Sequence, residues 1–132
     1  NKNVVEALNN YFRIVRNKNI KFQIEDYRDF FKQKKYEHND FVYIDPPYLI
    51  TSSEYNKYWD IQNELELLEI ADKLDREGVK FALSNVTHYK GKENESLIKW
   101  LKKYKSYKIN SNYINYHNIK KKEIREVLIT NY

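Results

Sequence analysis

Cysteine is absent from the 132 residues, so the chain can form no disulfide and offers no thiolate to a metal ion. This absence fits a reducing compartment, and we expect a cytoplasmic protein. Glycine is almost as scarce: Gly78 and Gly91 are the only two, which is few for an α/β enzyme that binds a nucleotide-like cofactor. No apolar run approaches the roughly 18 residues of a membrane-spanning helix, and no signal-like segment opens the chain. We therefore expect no membrane partner.

Apolar and aromatic residues are plentiful. Hydrophobic residues make up 41% of the chain and aromatic residues 16%, including thirteen tyrosines, which is too apolar for a disordered segment. The length corresponds to one domain at most. The net charge of +5 is compatible with a polyanionic partner, because lysine and arginine can neutralise phosphates. A lysine-rich proteome would explain the same charge, so charge alone does not decide between these explanations.

The stretch from Phe41 to Tyr48 organises the rest of the chain. Residues 41–44 are four consecutive apolar or aromatic residues, which predicts a strand buried on both faces, as in a parallel sheet. Pro46 and Pro47 cannot continue a central strand, because they lack a backbone N–H. Asp45 is therefore expected at the carboxyl end of the strand, which is the edge where open α/β sheets bind ligands.

Four neighbouring residues at this position combine complementary chemical groups. Asp45 supplies an acceptor carboxylate, Pro46 and Pro47 stiffen the turn and fix an acceptor carbonyl, and Tyr48 supplies a flat ring. Together they suit a planar ring that carries an amino group. The alternative is an ordinary Pro-Pro turn with a solvated acid and a surface tyrosine.

Other elements follow from hydrophobic spacing and capping residues. The helix after Asp60 is expected to point Glu64 away from the core, and its strand–helix–strand context predicts a right-handed parallel crossover. The predicted elements are a helix of about three turns capped by Asn3, a strand at 22–24, a short helix after Asp26, a helix from Asp60 to Gly78, a strand at 79–83 that ends at Ser84-Asn85, a helix at 94–104, and strands at 107–109 and 126–130.

The Asp45-Pro46-Pro47-Tyr48 sequence resembles the catalytic motif of amino-group DNA methyltransferases. Three further stretches make almost the whole chain similar to the Dam-type adenine-N6 family: IEDY at 24–27, VKFALSN at 79–85 and EVLITNY at 126–132. The resemblance implies a partial Rossmann-like methyltransferase fold with a mostly parallel sheet and an antiparallel C-terminal strand. It also implies methyl transfer from S-adenosyl-L-methionine to the N6 amine of an adenine flipped out of duplex DNA, in a restriction–modification system, a phage or a mobile element.

The resemblance assigns roles to several residues. It implies that Asp45 and the Pro46 carbonyl accept hydrogen bonds from the two N–H groups of the target amine. It also implies that Pro47 belongs to the same rigid motif and that Tyr48 stacks on the flipped base. Asp26 and Tyr27, together with Asp45, are implied to bind the cofactor, with Asp26 accepting from the amine of its adenine ring. A purely structural role for Asp26 as a helix cap is equally compatible with the sequence.

Two segments are candidate DNA contacts. Tyr55 and Asn56 belong to a polar and aromatic loop at 49–60, which could touch DNA or simply cover the core. The run Lys120-Lys121-Lys122 could bind the phosphate backbone or be solvated charge on a hairpin. His38, His88 and His117 have no ligand-like spacing, so no metal is expected.

The chain departs from the family in one respect. The glycine-rich F-x-G-x-G cofactor motif, the first strand of the sheet and the acid that holds the cofactor ribose are absent. We therefore expect residues 1–132 to be the C-terminal part of a catalytic domain, with residues 1–20 leading in from a target-recognition region. Double-stranded DNA and a missing N-terminal half are the expected partners. Alone, the fragment is expected to bind the cofactor weakly or not at all and to lack turnover.

Two other functions remain open from the sequence. One is amino methylation of a different substrate: the N4 amine of cytosine, an RNA or a protein amide. The other is a non-catalytic half or decayed module that binds DNA or a partner chain.

Overall fold

The computed structural model describes residues 2–109 and 124–132. The chain divides into two compact units, residues 1–34 and residues 35–132. The helices are α1 (Lys2–Asn17), α2 (Tyr27–Gln33), α3 (Ile61–Arg76) and α4 (Glu95–Trp100), with single 3₁₀ turns at Glu54–Asn56 and Leu101–Lys103. The strands are β1 (Phe41–Ile44), β2 (Lys80–Tyr89), β3 (Lys92–Glu93), β4 (Lys105–Ile109) and β5 (Ile124–Thr130). None of the helices in these ranges is long and apolar enough to cross a membrane.

The first unit contains α1 and α2. The predicted first helix is confirmed, but it already includes Asn3, so the predicted cap at that residue is wrong. Asp26 caps α2 as expected: its carboxylate accepts a hydrogen bond from the Arg28 N–H at 2.8 Å. The predicted strand at 22–24 does not form. Phe22 and Ile24 are exposed and pair with no strand of the described residues, which explains why apolar residues here do not make a sheet.

The second unit is built on one sheet with the order β1-β2-β5-β4, and β3 pairs with β2. The parallel relation of β1 and β2 across α3 is confirmed. The expected mostly parallel sheet is wrong, because every other described pairing is antiparallel. A tight turn at Lys90 and Gly91, both with positive φ, reverses the chain between β2 and β3 as in a two-residue hairpin.

The strand β2 is longer than predicted. It continues through Ser84 and Asn85 to Tyr89, because β5 pairs along this whole extension. The predicted strand end at Ser84-Asn85 is therefore wrong. Ser84 and Asn85 do not end the strand. They lie in the middle of the sheet, one on each face.

The strand β1 has the predicted bounds but not the predicted burial. Phe41 and Tyr43 are 54% and 59% exposed, whereas Ile44 is buried. This alternation is typical of a strand with one covered face, so the expectation of burial on both faces is wrong for the described residues. β1 also lies at the edge of the sheet.

Helix α3 covers one face of the sheet. Asp60 caps it by accepting from the Asn63 N–H at 2.9 Å, and Gly78 follows its end with φ of +73°, both as predicted. The predicted orientation of Glu64 is wrong, because its side chain is 0% exposed. The core beneath the helix is apolar and includes Leu67, Leu68, Ala71, Leu74, Phe81 and Leu83.

The C-terminal elements agree with the predictions in outline. Asn94 caps α4 by accepting from the Leu97 N–H at 3.1 Å, and the predicted helix to residue 104 ends in a 3₁₀ turn instead. The two predicted final strands are confirmed as β4 and β5. Lys120, Lys121 and Lys122 lie outside the described residues.

Candidate active site

The two faces of the sheet have different surroundings. Paired residues of neighbouring strands share a face, and successive residues of one strand alternate between faces. Val86 pairs with Glu126, and Ser84 lies two residues before Val86, so Ser84 and Glu126 share one face. Asn85 points the other way and donates to Glu64 of α3 at 3.0 Å. The polar residues near the motif are therefore on the face opposite α3.

Asp45 follows the last residue of β1, as predicted, and its carboxylate is held from the neighbouring strand. The Ser84 hydroxyl donates to Asp45 Oδ1 at 2.7 Å, and the Tyr43 hydroxyl donates to Ser84 Oγ at 3.3 Å. Ser84 is buried, so its position is fixed by β2. Among the described residues, the hydrogen bonds to this carboxylate all reach Oδ1. Within residues 2–109 and 124–132, Oδ2 accepts no hydrogen bond.

Tyr48 is held at its hydroxyl end. Its O–H donates to Glu126 Oε1 at 2.9 Å, while Asp45 Oδ1 lies farther away at 3.5 Å. A phenol has one proton, so the shorter contact is the hydrogen bond and the longer one is weak. Burial raises the pKa of Tyr48, the Ser84 hydroxyl as a hydrogen-bond partner lowers it, and the nearby carboxylates of Glu126 and Asp45 raise it, so the net change is a rise. The hydroxyl therefore stays protonated and remains a donor at neutral pH.

The loop that follows the motif is closed back onto it. The Asn56 amide donates to the Tyr48 carbonyl at 2.7 Å and to the Thr51 carbonyl at 2.8 Å. Trp59 Nε1 donates to Glu64 Oε2 at 3.0 Å and fixes the other end of the loop. Asn56 thus has a structural role, and its DNA contact stays a prediction. Tyr55 lies in the adjoining 3₁₀ turn, Glu54–Asn56.

Asp26 and Tyr27 belong to the first unit and form a local cluster with Arg28. The Arg28 guanidinium lies 3.3 Å from Asp26 Oδ2 and 4.7 Å above the centre of the Tyr27 ring. The Asp26 side chain is nevertheless 50% exposed. It lines a shallow concavity with Gln23, Ile24, Glu25 and Asp29. This concavity carries three carboxylates and suits a ligand with positive charge or amine hydrogens.

Histidines take part in no metal-like cluster of the described chain. Within residues 2–109 and 124–132, no group of three or more histidine, aspartate or glutamate side chains could hold a metal ion. His88 instead lies between Thr87 Oγ1, at 3.0 Å, and Glu93 Oε1, at 3.3 Å.

Two residues of the site had no role in the sequence-based prediction. Ser84 and Glu126 hold Asp45 and Tyr48, and they come from stretches 79–85 and 126–132. Both stretches carry the family resemblance, and that resemblance was the sequence signal that could have pointed to Ser84 and Glu126. Their contact with the motif could not be inferred, because it depends on the length of β2 and its register with β5.

One family of known proteins matches most of the chain. The model of the D12 class N6 adenine-specific DNA methyltransferases matches residues 1–126. The chain therefore belongs to this family, and the predicted resemblance to adenine-N6 methyltransferases is confirmed.

Three of the curated proteins that are similar to the chain are named as methyltransferases or modification methylases. Type II methyltransferase M.FokI of Planomicrobium okeanokoites is 43% identical over 129 residues, which cover 92% of this chain and 20% of the relative. Modification methylase StsI of Streptococcus sanguinis is 45% identical over 106 residues, with 71% of this chain and 16% of the relative covered. Modification methylase LlaI of Lactococcus lactis subsp. lactis is 39% identical over 104 residues, with coverages of 74% and 16%. The chain thus spans a fifth or less of the length of these relatives.

Proposed function

We propose that this chain carries the amine-binding motif of a site-specific DNA methyltransferase that modifies the N6 amine of adenine. The observation that carries the proposal is the placement of Asp45. It stands at the carboxyl end of β1, oriented through Oδ1 by Ser84, with Tyr48 beside it. Membership of the family and the similarity to modification methylases support the same activity.

Methyl transfer requires that the adenine N6 amine become a better nucleophile than it is in the free base. The lone pair of the adenine N6 is delocalised into the ring, so the amine attacks poorly. If Asp45 Oδ2 and the Pro46 carbonyl accept hydrogen bonds from its two N–H groups, the nitrogen becomes pyramidal and its lone pair points outward. Catalysis then consists mainly of positioning and preorganised electrostatics. Asp45 need not be a strong base, because the amine becomes acidic only after it is methylated.

The cofactor of this proposal is S-adenosyl-L-methionine, which supplies a methyl group on a positively charged sulfur when bound. Asp26 and Tyr27 are the residues of the first unit that would hold it. The half-exposed Asp26 carboxylate and the acidic concavity fit the exocyclic amine of the cofactor's adenine ring. The resemblance also assigns Asp45 to the cofactor, and this assignment stays a prediction.

Duplex DNA hides the N6 amine inside the base stack, so the target adenine must be flipped out. Tyr48 would then replace the lost stacking neighbour. Tyr55, Asn56 and the lysines at 120–122 remain the proposed DNA contacts, through the closed loop and through phosphate neutralisation.

The test is product analysis with the full-length protein that carries these residues. It is incubated with duplex DNA and S-adenosyl-L-methionine, and the nucleosides are then separated and weighed by mass spectrometry. We expect N6-methyladenine. Finding N4-methylcytosine alone would show that the substrate is wrong, and DNA binding without any methylated nucleoside would favour a non-catalytic module.

A further inference from the structure

We propose that Glu126 is a positioning residue of this site, which sets the ring of Tyr48 and keeps its hydroxyl proton away from Asp45. This inference rests on the proposed function, because it concerns the ring that would stack on the flipped base. Nothing in the motif itself points to Glu126, which is 78 residues away from Tyr48 along the chain.

Glu126 is anchored in the sheet, whereas Tyr48 is not in a strand or helix. Glu126 pairs with Val86 of β2 on one side and with Ile109 of β4 on the other. Its backbone is therefore fixed from both sides. Tyr48 follows two prolines and precedes a turn, so its ring could otherwise rotate about the Cα–Cβ bond. A hydrogen bond at the hydroxyl, the atom farthest from Cα, removes that freedom.

The hydrogen bond does not compete with stacking. A base stacks on the face of an aromatic ring, whereas the hydroxyl lies at its edge. The 2.9 Å bond to Glu126 can therefore persist while the ring face is covered. Glu126 thus prepares the ring before the base arrives, and less orientational freedom is lost on binding.

The second effect concerns the single proton of Tyr48. Two carboxylates lie near its hydroxyl, Glu126 at 2.9 Å and Asp45 at 3.5 Å. Without Glu126, Asp45 Oδ1 is the carboxylate oxygen left near the hydroxyl, so the hydroxyl would turn toward it. The ring would leave its position, and part of the acceptor capacity of Asp45 would be used by Tyr48. Glu126 prevents this by accepting the hydrogen bond of the Tyr48 hydroxyl itself.

The charge of Glu126 agrees with an intramolecular role. A carboxylate is repelled by DNA phosphates, so it does not suit a backbone contact at this place. A charged acceptor does suit the phenol, since hydrogen bonds to ionised groups are about twice as strong as neutral ones.

The experiment is a double-mutant cycle in the full-length protein, with wild type, Glu126→Ala, Tyr48→Phe and the double variant. Removing a charge-assisted hydrogen bond is expected to lower kcat about tenfold for Glu126→Ala when Tyr48 is present, with a smaller change in KM for DNA. In the Tyr48→Phe background, Glu126→Ala should lower kcat by less than about twofold, because no hydroxyl remains that could turn toward Asp45. Glu126→Gln keeps an acceptor oxygen and should recover most of the activity. Glu69→Ala, an exposed glutamate on α3, is the matched control.

Equal losses for Glu126→Ala in both backgrounds, or no loss in either, would overturn the inference. An inactive wild type would instead overturn the proposed function. In that case fluorine NMR of a fluorotyrosine at position 48 still decides the inference. Its signal should move on Glu126→Ala and not on Glu69→Ala, and an unchanged signal would refute the contact.

Discussion

The buried carboxylate of Glu64 is expected to be a large local contributor to stability. Its side chain is fully buried and accepts hydrogen bonds from Trp59 Nε1 at 3.0 Å, Asn85 Nδ2 at 3.0 Å and Asn94 Nδ2 at 2.9 Å. These donors belong to the loop after the motif, to β2 and to the cap of α4. Glu64 of α3 therefore joins four parts of the unit that contains Asp45.

The magnitude of the loss follows from what each substitution leaves unpaired. Glu64→Ala removes the acceptor of three donors, and each unsatisfied buried donor costs about 1–3 kcal/mol. Water can reach part of the space that is left, so we expect a total loss of about 3–5 kcal/mol. Glu64→Gln keeps one oxygen for the two asparagines but turns its own N–H₂ toward Trp59, so we expect a loss of about 1–3 kcal/mol. Trp59→Phe removes one donor and should cost about 1 kcal/mol.

The assay is urea unfolding of the 132-residue chain followed by tryptophan fluorescence. Trp59 and Trp100 are the two tryptophans, and both belong to the second unit, so the signal reports on that unit. Glu69→Ala on the same helix is the control and should change the free energy of unfolding by less than about 0.5 kcal/mol. If Glu64→Gln matches this control, or if Glu64→Ala does so, the three hydrogen bonds do not stabilise the unit and the reasoning is wrong.

Two further predictions concern the same unit. Burial alone would raise the pKa of Asp72, but hydrogen bonds from Lys103, Tyr104 and Trp100 outweigh it and lower that pKa. Ionised Asp72 therefore stabilises the folded state above its unfolded pKa of about 3.9, and this contribution is lost as the pH falls through the lower folded pKa. In urea unfolding between about pH 5 and 3, the Asp72→Asn variant should therefore lose less stability than wild type. Parallel slopes for the two proteins would contradict this. Asp60→Ala should lower the free energy of unfolding by about 1 kcal/mol, because it removes the cap of α3, and a loss of helix signal by circular dichroism at lower urea would be the measurement.

Local signals predicted several elements well. Asp60 and Gly78 bracket α3, and Asp26 begins α2, because a capping carboxylate or a glycine with positive φ acts within one turn of the chain. The end of β1 was equally predictable, because prolines cannot continue a paired strand.

Features that depend on distant partners were not predictable in this way. The apolar residues at 22–24 look like a strand but pair with no strand in residues 2–109 and 124–132, and β2 runs past Asn85 because β5 extends beside it. Glu64 looked like a surface residue, since a charged side chain on a helix usually is one. Its burial follows from three donors brought to it by separate elements.

The candidate site also combines features that local sequence predicts with features that depend on distant partners. The positions of Asp45 and Tyr48 follow from the motif, whereas the contacts that orient them do not. Ser84 and Glu126 reach the motif only because β2 lies beside β1 and β5 lies beside β2. Strand order and register are set by the whole sheet, and no short stretch of sequence encodes them.

The most direct test of the proposed role of Asp45 is the single-turnover rate of methyl transfer by the full-length Asp45→Ala variant, measured with saturating duplex DNA and S-adenosyl-L-methionine. Loss of a preorganised electrostatic group at the reacting atom predicts a rate at least about one hundredfold below wild type, with DNA affinity little changed. A rate above about one hundredth of wild type would contradict the assignment of Asp45 as the acceptor of the adenine amine.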